Sequence, residues 1–205
     1  MDRKAFYKLE YGVFLVSARA GDKVNACITN TCIQAAAKPV QLAVCCINGN
    51  YTTELIKDGG MFTVSVLDES VSFETIKHYG MQSGRDVDKI SGQDLGWDEN
   101  GLPYLKEQAN AVFCCRVTSS QDLGSHTLFV GEVLDAWVLG GKPSLTYARY
   151  QSDVKPRPQA KPETRPIVGW KCKICGYLYE GAELPADFLC PWCGHGPEDF
   201  EPVYG

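Results

Sequence analysis

The sequence predicts a mainly β protein: a β-barrel of short strands with a few short helices, followed by a small metal-binding ribbon domain. Three observations carry this. Short apolar runs rich in β-branched and aromatic residues recur through the first three quarters of the chain, each closed by turn residues. Val154-Lys-Pro-Arg-Pro-Gln-Ala-Lys-Pro-Glu-Thr-Arg-Pro166 holds four prolines, which remove backbone donors and favour extended polyproline geometry. Beyond it, four of the ten cysteines crowd into two Cys-x-x-Cys-Gly pairs. The expected organisation is residues 1–153 as the barrel, 154–166 as a semi-rigid linker and 167–205 as the metal domain.

In the first part, strands are expected at residues 11–18, 40–47, 61–67, 111–117 and 126–133. Gly21-Asp22, Asn48-Gly49 and Gly140-Gly141 punctuate them. Residues 53–59 and 70–80 read as short helices closed by glycine. Many short strands with few helices favour a barrel over alternating βαβ units. Between the first two strands, Asn25-Ala-Cys-Ile-Thr-Asn-Thr-Cys-Ile-Gln is a polar stretch of small residues leading into Lys38-Pro39.

Composition narrows the function. With 44% hydrophobic and 22% charged residues, the 205-residue chain is an ordinary folded protein rather than a disordered one. Its net charge of −5 argues against a nucleic-acid partner. The charge is uneven: the barrel and metal domain each carry −4, and the linker between them +3. No apolar run approaches the ~20 residues that span a bilayer, so no membrane partner is expected. The first residues do not resemble a secretory signal, and the expected address is cytoplasmic. In that compartment cysteines are thiols or metal ligands rather than disulfides.

Cys172-x-x-Cys175-Gly and Cys190-x-x-Cys193-Gly stand 14 residues apart. Each turn lets two sulfurs chelate one ion, and the following glycine permits a bend that aims amides at the thiolates. Two such turns make a tetrahedral S4 site, which selects zinc or iron; spacing alone leaves a structural zinc ribbon open. The surrounding residues add to this. Cys175-Gly-Tyr-Leu-Tyr-Glu-Gly, Phe188-Leu-Cys-Pro-Trp-Cys-Gly and Glu198-Asp-Phe-Glu-Pro resemble rubredoxin, the one-iron electron carrier, in the compact form appended to rubrerythrins. The resemblance implies iron at Cys172, Cys175, Cys190 and Cys193, with Trp170, Tyr177, Tyr179 and Phe200 packed around it as a dry shell.

The barrel has neither a dinucleotide fingerprint nor a phosphate-binding P-loop. Asn48-Gly-Asn-Tyr-Thr-Thr-Glu opens a helix and suits a phosphate on backbone amides, and Ser83-Gly-Arg-Asp-Val-Asp-Lys offers two cations to an anion. An ordinary loop accounts for either. Several longer blocks are more specific: Ala5-Phe-Tyr-Lys-Leu-Glu-Tyr-Gly, Lys38-Pro-Val-Gln-Leu-Ala-Val-Cys, Phe62-Thr-Val-Ser-Val-Leu and His126-Thr-Leu-Phe-Val-Gly-Glu-Val. Together with Leu145-Thr-Tyr-Ala they resemble the flavin reductase-like, FMN-binding split-barrel family, in its ferric reductase and flavoredoxin branch. Joined to a rubredoxin module, the whole is similar to the high molecular weight rubredoxin family.

That resemblance implies FMN held by a homodimer. Cys27, Ile28, Thr29, Asn30 and Thr31 would face the ring, and Cys46, Ile47 and Asn48 would continue the pocket. Tyr51 and Thr52 would lie near the phosphate, with Ser83, Gly84 and Arg85 closing over the flavin and Lys89 neutralising phosphate charge. Family members often carry a lysine or arginine near Asn48, where this chain has Asn48-Gly-Asn. His126 matches a histidine near the nicotinamide site, while His78 and His195 read as solvated. The doublets Cys45-Cys46 and Cys114-Cys115 read as small hydrophobes, Cys46 touching flavin passively.

The pairing of modules has a redox logic. Nicotinamide delivers two electrons as hydride, an S4 iron accepts one, and flavin handles both regimes. The expected order is NAD(P)H, FMN, iron and an external protein acceptor; relatives of this kind feed flavodiiron enzymes that reduce oxygen or nitric oxide. The alternatives are a free flavin or ferric-chelate reductase, a non-enzymatic electron carrier, and a zinc-ribbon interaction module on a flavin-binding scaffold.

Overall fold

The computed structural model describes residues 1–156 and 166–205. After a 3-10 turn at Arg3–Lys8 come β1 (Phe14–Ala20), β2 (Lys23–Thr29), β3 (Cys32–Ala37) and β4 (Val40–Ile47). Helix α1 (Tyr51–Gly59), β5 (Met61–Leu67) and helix α2 (Phe73–Gly80) follow. β6 (Leu95–Trp97) and β7 (Pro103–Leu105) form a small hairpin, β8 (Ala109–Asp122) and β9 (His126–Val138) a long one. A short helix α3 (Tyr147–Arg149) runs into a π turn, Tyr150–Val154. The last part holds β10 (Ile167–Cys172), β11 (Leu178–Glu180) and β12 (Phe200–Tyr204).

Seven strands make one antiparallel sheet in the order β2-β1-β5-β8-β9-β4-β3. The sheet curls, because both ends of that order contribute to one core. Cys27 of β2 packs in the same cluster as Leu42, Val44 and Cys46 of β4, with Phe62 and Phe129 between them. Alternation along β4 points those three residues inward. Gly131 of β9 allows the tight interior: a Cβ there would stand 2.8 Å from the Phe62 ring and 2.9 Å from Cys115 Cβ. On the opposite face of β1 a second cluster joins Val13 and Leu15 to Ile76 and Tyr79 of α2, Leu145 and Tyr150. The expected barrel is therefore present, split rather than closed.

The helices begin where their caps allow. Asn50 accepts from the Thr52 N–H, so α1 starts two residues before the expected 53, and Gly60 closes it in the left-handed region (φ 69°). Ser72 accepts from the Thr75 N–H, which moves the start of α2 from the expected 70 to Phe73. The first strand likewise begins at Phe14 instead of 11, Gly12 making only an isolated bridge to Thr146. The polar stretch from Asn25 supplies β2 and β3. Most of the proline-rich linker expected at 154–166 lies outside the described residues. Among the described residues no helix is long and apolar enough to cross a membrane.

Candidate functional site

A cavity opens where β2 and β4 approach. Cys27, Ile28, Thr29 and Asn30 line it from the end of β2, Cys46 and Ile47 from β4, and Asn50 from the α1 cap. Ile76 and Gly80 of α2 and its C-cap Met81 add an apolar wall, and His126 stands at the start of β9, where it pairs with Ile47. Thr29 Oγ1 donates to the Cys45 carbonyl at 2.8 Å, which ties the two strand ends together, and Thr31 Oγ1 donates to Asn30 Oδ1 at 3.0 Å. Cavities of this kind, apolar with a few convergent polar groups, suit a flat aromatic ligand.

Charge is distributed unevenly inside. The Cys46 contact holds the Cys27 thiol below its ordinary value against the opposing effect of burial, and the Lys89 ammonium adds to it. The same contact pushes Cys46 well above its ordinary value. Burial, then the neighbouring His195, depress His126, which favours the neutral imidazole.

A second group of expected residues sits beside the cavity, around the start of α1. Asn25, 1% exposed, donates from Nδ2 to Thr52 Oγ1 at 2.9 Å. A Cβ at Gly84 would come within 2.2 Å of Asn25 Oδ1, so the loop from Ser83 can lie on that amide only as glycine. Arg85 donates to Glu54 and stands 5.2 Å above the Tyr51 ring. This cluster gathers Tyr51, Thr52, Ser83, Gly84 and Arg85 in one place, but none of them lines the cavity.

Two residues are committed elsewhere. Asn48 locks the β8–β9 hairpin, donating to Asp122 at 3.0 Å and the Gly124 carbonyl at 2.8 Å and accepting from Thr127 at 2.6 Å. Lys89, 2% exposed, donates to the Tyr79 carbonyl at 2.8 Å and the Ala26 carbonyl at 3.2 Å, so its ammonium faces backbone, not an open anion site. His78 and His195 differ from the solvated residues expected. His78 is half-buried against Tyr79, with Nε2 2.9 Å from the Lys89 carbonyl, and His195 lines the cavity.

The four C-terminal sulfurs lie within 4.8 Å of one another. Each knuckle closes on a left-handed glycine, Gly176 (φ 79°) and Gly194 (φ 74°), whose N–H returns to the Cys172 and Cys190 carbonyls at 2.9 and 2.8 Å. Contacts among the thiols pull Cys172 well below its ordinary value and push Cys175 and Cys193 above theirs. Four crowded thiols cannot all ionise on their own; a cation lets them, so the donor set fits a thiophilic metal. Tyr177, Tyr179, Phe188 and Phe200 pack around it, with ring centroids 4.7 to 6.3 Å apart. Trp170 and Ile174 complete this shell.

The metal domain also reaches the cavity. Lys173, Ile174, Cys193 and His195 line it alongside Tyr147 and Tyr150 of the barrel. None of these but Cys193 was expected at a site. Their placement depends on how the two domains meet, for which no residue spacing is a signal.

Residues 6–154 match the flavin reductase like domain family, and residues 170–201 match the rubrerythrin, rubredoxin-like domain. A high molecular weight rubredoxin of Moorella thermoacetica is 33% identical over 99% of this chain and 100% of that protein. A ferric-chelate reductase (NAD(P)H) of Archaeoglobus fulgidus is 39% identical over 73% of this chain and 89% of its own. The solved FMN-binding protein of Thermus thermophilus superposes with a TM-score of 0.59 at 25% identity, over 64% of this chain and 74% of that one. With the cavity and the S4 site, these matches give the chain its cofactors, FMN in the barrel and iron in the metal domain. The chain belongs to the flavin reductase like family, extended by a rubredoxin-like domain, and is an oxidoreductase of flavin-linked electron transfer.

Proposed function

We propose that the chain passes electrons from NAD(P)H through FMN to iron and then to a protein acceptor, a flavodiiron oxygen or nitric oxide reductase. The single observation that carries this is the cavity lined at once by Cys27, Cys46 and His126 of the barrel and by Cys193 of the metal site. When bound, FMN would supply the change of electron number between a two-electron hydride donor and a one-electron iron acceptor. The chain's own residues prepare that exchange. Cys27 to Asn30 and Ile47 form the walls that hold the ring, and the α2 side excludes water through Ile76 and Met81. A neutral His126 orients the nicotinamide without repelling its positive oxidised form. The cluster of Tyr51, Thr52, Ser83, Gly84 and Arg85 at the start of α1 receives the phosphate end.

Other parts of the reading have separate support. All ten cysteines are unpaired, which suits a reducing cytoplasmic compartment. The edge strand β3 exposes Ile33 (64%), an apolar residue on an unpaired edge of the kind a homodimer covers. The metal domain's charge of −4 suits weak, salt-sensitive docking on a basic acceptor.

The decisive variant is Cys172→Ser with Cys190→Ser in the full chain. NAD(P)H-driven reduction of a flavodiiron protein should fall on the order of 100-fold or more, while reduction of a ferric chelate persists. Equal protein-acceptor turnover without the iron would mean that electrons do not pass through the metal site, and the relay would be wrong.

A further inference from the structure

Two residues reach across to the metal domain, Tyr147 from α3 and Lys155 from just beyond the π turn. Tyr147 Oη lies 3.1 Å from His195 Nε2. His195 in turn places Nδ1 3.1 Å from the Cys193 carbonyl, and its own carbonyl accepts from the Cys190 N–H at 2.9 Å. The second contact is an ion pair of Lys155 with Asp199, whose side chains are only 13% and 5% exposed. The Asp199 carbonyl accepts from the Lys173 N–H at 2.8 Å, next to Cys172. Both grips therefore end on backbone that carries metal ligands.

The barrel side is equally fixed. The Tyr147 N–H donates to the Tyr11 carbonyl at 2.7 Å, and its ring lies 5.8 Å from that of Tyr150. The Lys155 N–H donates to the Tyr150 carbonyl at 2.9 Å. Of the four thiols, Cys193 lines the flavin cavity while Cys172, Cys175 and Cys190 do not.

We propose that Tyr147 and Lys155 are positioning residues for internal electron transfer: they seat the metal domain so that the Cys193 sulfur faces the cavity and is where the electron enters iron. This rests on the relay reading above. Exposed ion pairs contribute little, but one this buried resists breaking, because removing Lys155 would leave the Asp199 carboxylate buried without its ammonium. Two separate contacts, at Tyr147 and at Lys155, fix orientation as well as distance. The step moves one electron from reduced FMN to ferric iron, which becomes ferrous. The second electron follows after the iron has handed the first to a one-electron acceptor.

The test uses the full chain loaded with FMN and iron. The flavin is reduced by light with a sacrificial donor, without nicotinamide, and the ferric–thiolate absorbance is followed as it bleaches. In the double variant Tyr147→Phe, Lys155→Ala the bleaching should slow on the order of tenfold or more, and FMN emission, quenched by the nearby iron domain, should rise. Lys155→Arg should restore both toward wild type. Retained iron absorbance shows that the metal domain is still folded. A double variant with wild-type bleaching and wild-type emission overturns the positioning role. If the wild-type iron does not bleach at all, the relay itself is wrong. Should Tyr147→Phe lose FMN, Lys155→Ala decides alone through the same two readouts.

Discussion

The two halves of the molecule hold their redox groups by opposite means. The barrel gathers cavity residues from segments as distant as Cys27 and Tyr150, over a core of two large clusters. The metal domain makes its site from two turns, and the buried hydrophobic residues of its core are Cys172, Cys190 and Phe200. Two of those three are ligands. So small a core cannot hold a domain together without a staple, and ligation is the staple. The barrel is a fold that binds; the metal domain is a fold that exists because it binds.

Removing the metal is the sharpest way to break that contrast. Structural S4 sites contribute about 10 kcal/mol or more to the domains they hold. After chelation, amides of residues 167–205 should exchange with solvent nearly freely while those of β1, β5 and β8 keep their protection. Hydrogen exchange read by mass spectrometry checks both halves in one sample. A metal-free domain that stays protected would show a core stronger than three residues.

The converse experiment empties the barrel. Phe62 is fully buried between the two ends of the sheet and touches the space that Gly131 leaves. Phe62→Ala should destabilise the barrel by about 3–5 kcal/mol, since the ring's transfer energy is lost and a cavity remains. Denaturant unfolding measures this. The ferric absorbance should persist to wild-type denaturant concentrations, because the metal domain's support is its own ligands.

The same contrast decides what could be read from the residues alone. The metal site is local in sequence, so spacing sufficed to find all four ligands. β4 and β5 have the expected bounds, because each is a continuous apolar run bounded by turn residues. β8 and β9 extend to Asp122 and Val138, past their apolar runs, because the exposed far end of each strand still has the start of the other to pair with, and ladder bonds need no burial. β2 was hidden by its polar residues: Asn25 looks like a loop residue until Thr52, 27 positions away, satisfies its amide. Of the expected flavin residues, Cys27 to Asn30, Cys46 and Ile47 share one cavity. Tyr147 and His195 carry no local pattern, and their importance comes from a contact between residues 48 positions apart.

Lys89 offers the finest test, because it links the barrel's two layers through carbonyls instead of an acid. Lys89→Met would leave the Ala26 and Tyr79 carbonyls without donors, at a cost of about 1–3 kcal/mol near neutral pH. The pH dependence has a definite sign. Burial lowers the Lys89 pKa from 10.5, partly opposed by Cys27, so in the window between the native value and 10.5 the unfolded chain binds more protons. The burial penalty is fully present below that window and fades through it, so this residue makes stability rise with pH there. Lys89→Met abolishes that rise. Subtracting the variant's unfolding free energy from the wild type's at each pH removes the shared titration of tyrosines and of cysteines other than Cys27, which Lys89 itself affects. A difference that stays flat up to pH 10.5 would mean that the carbonyls fully compensate the buried charge.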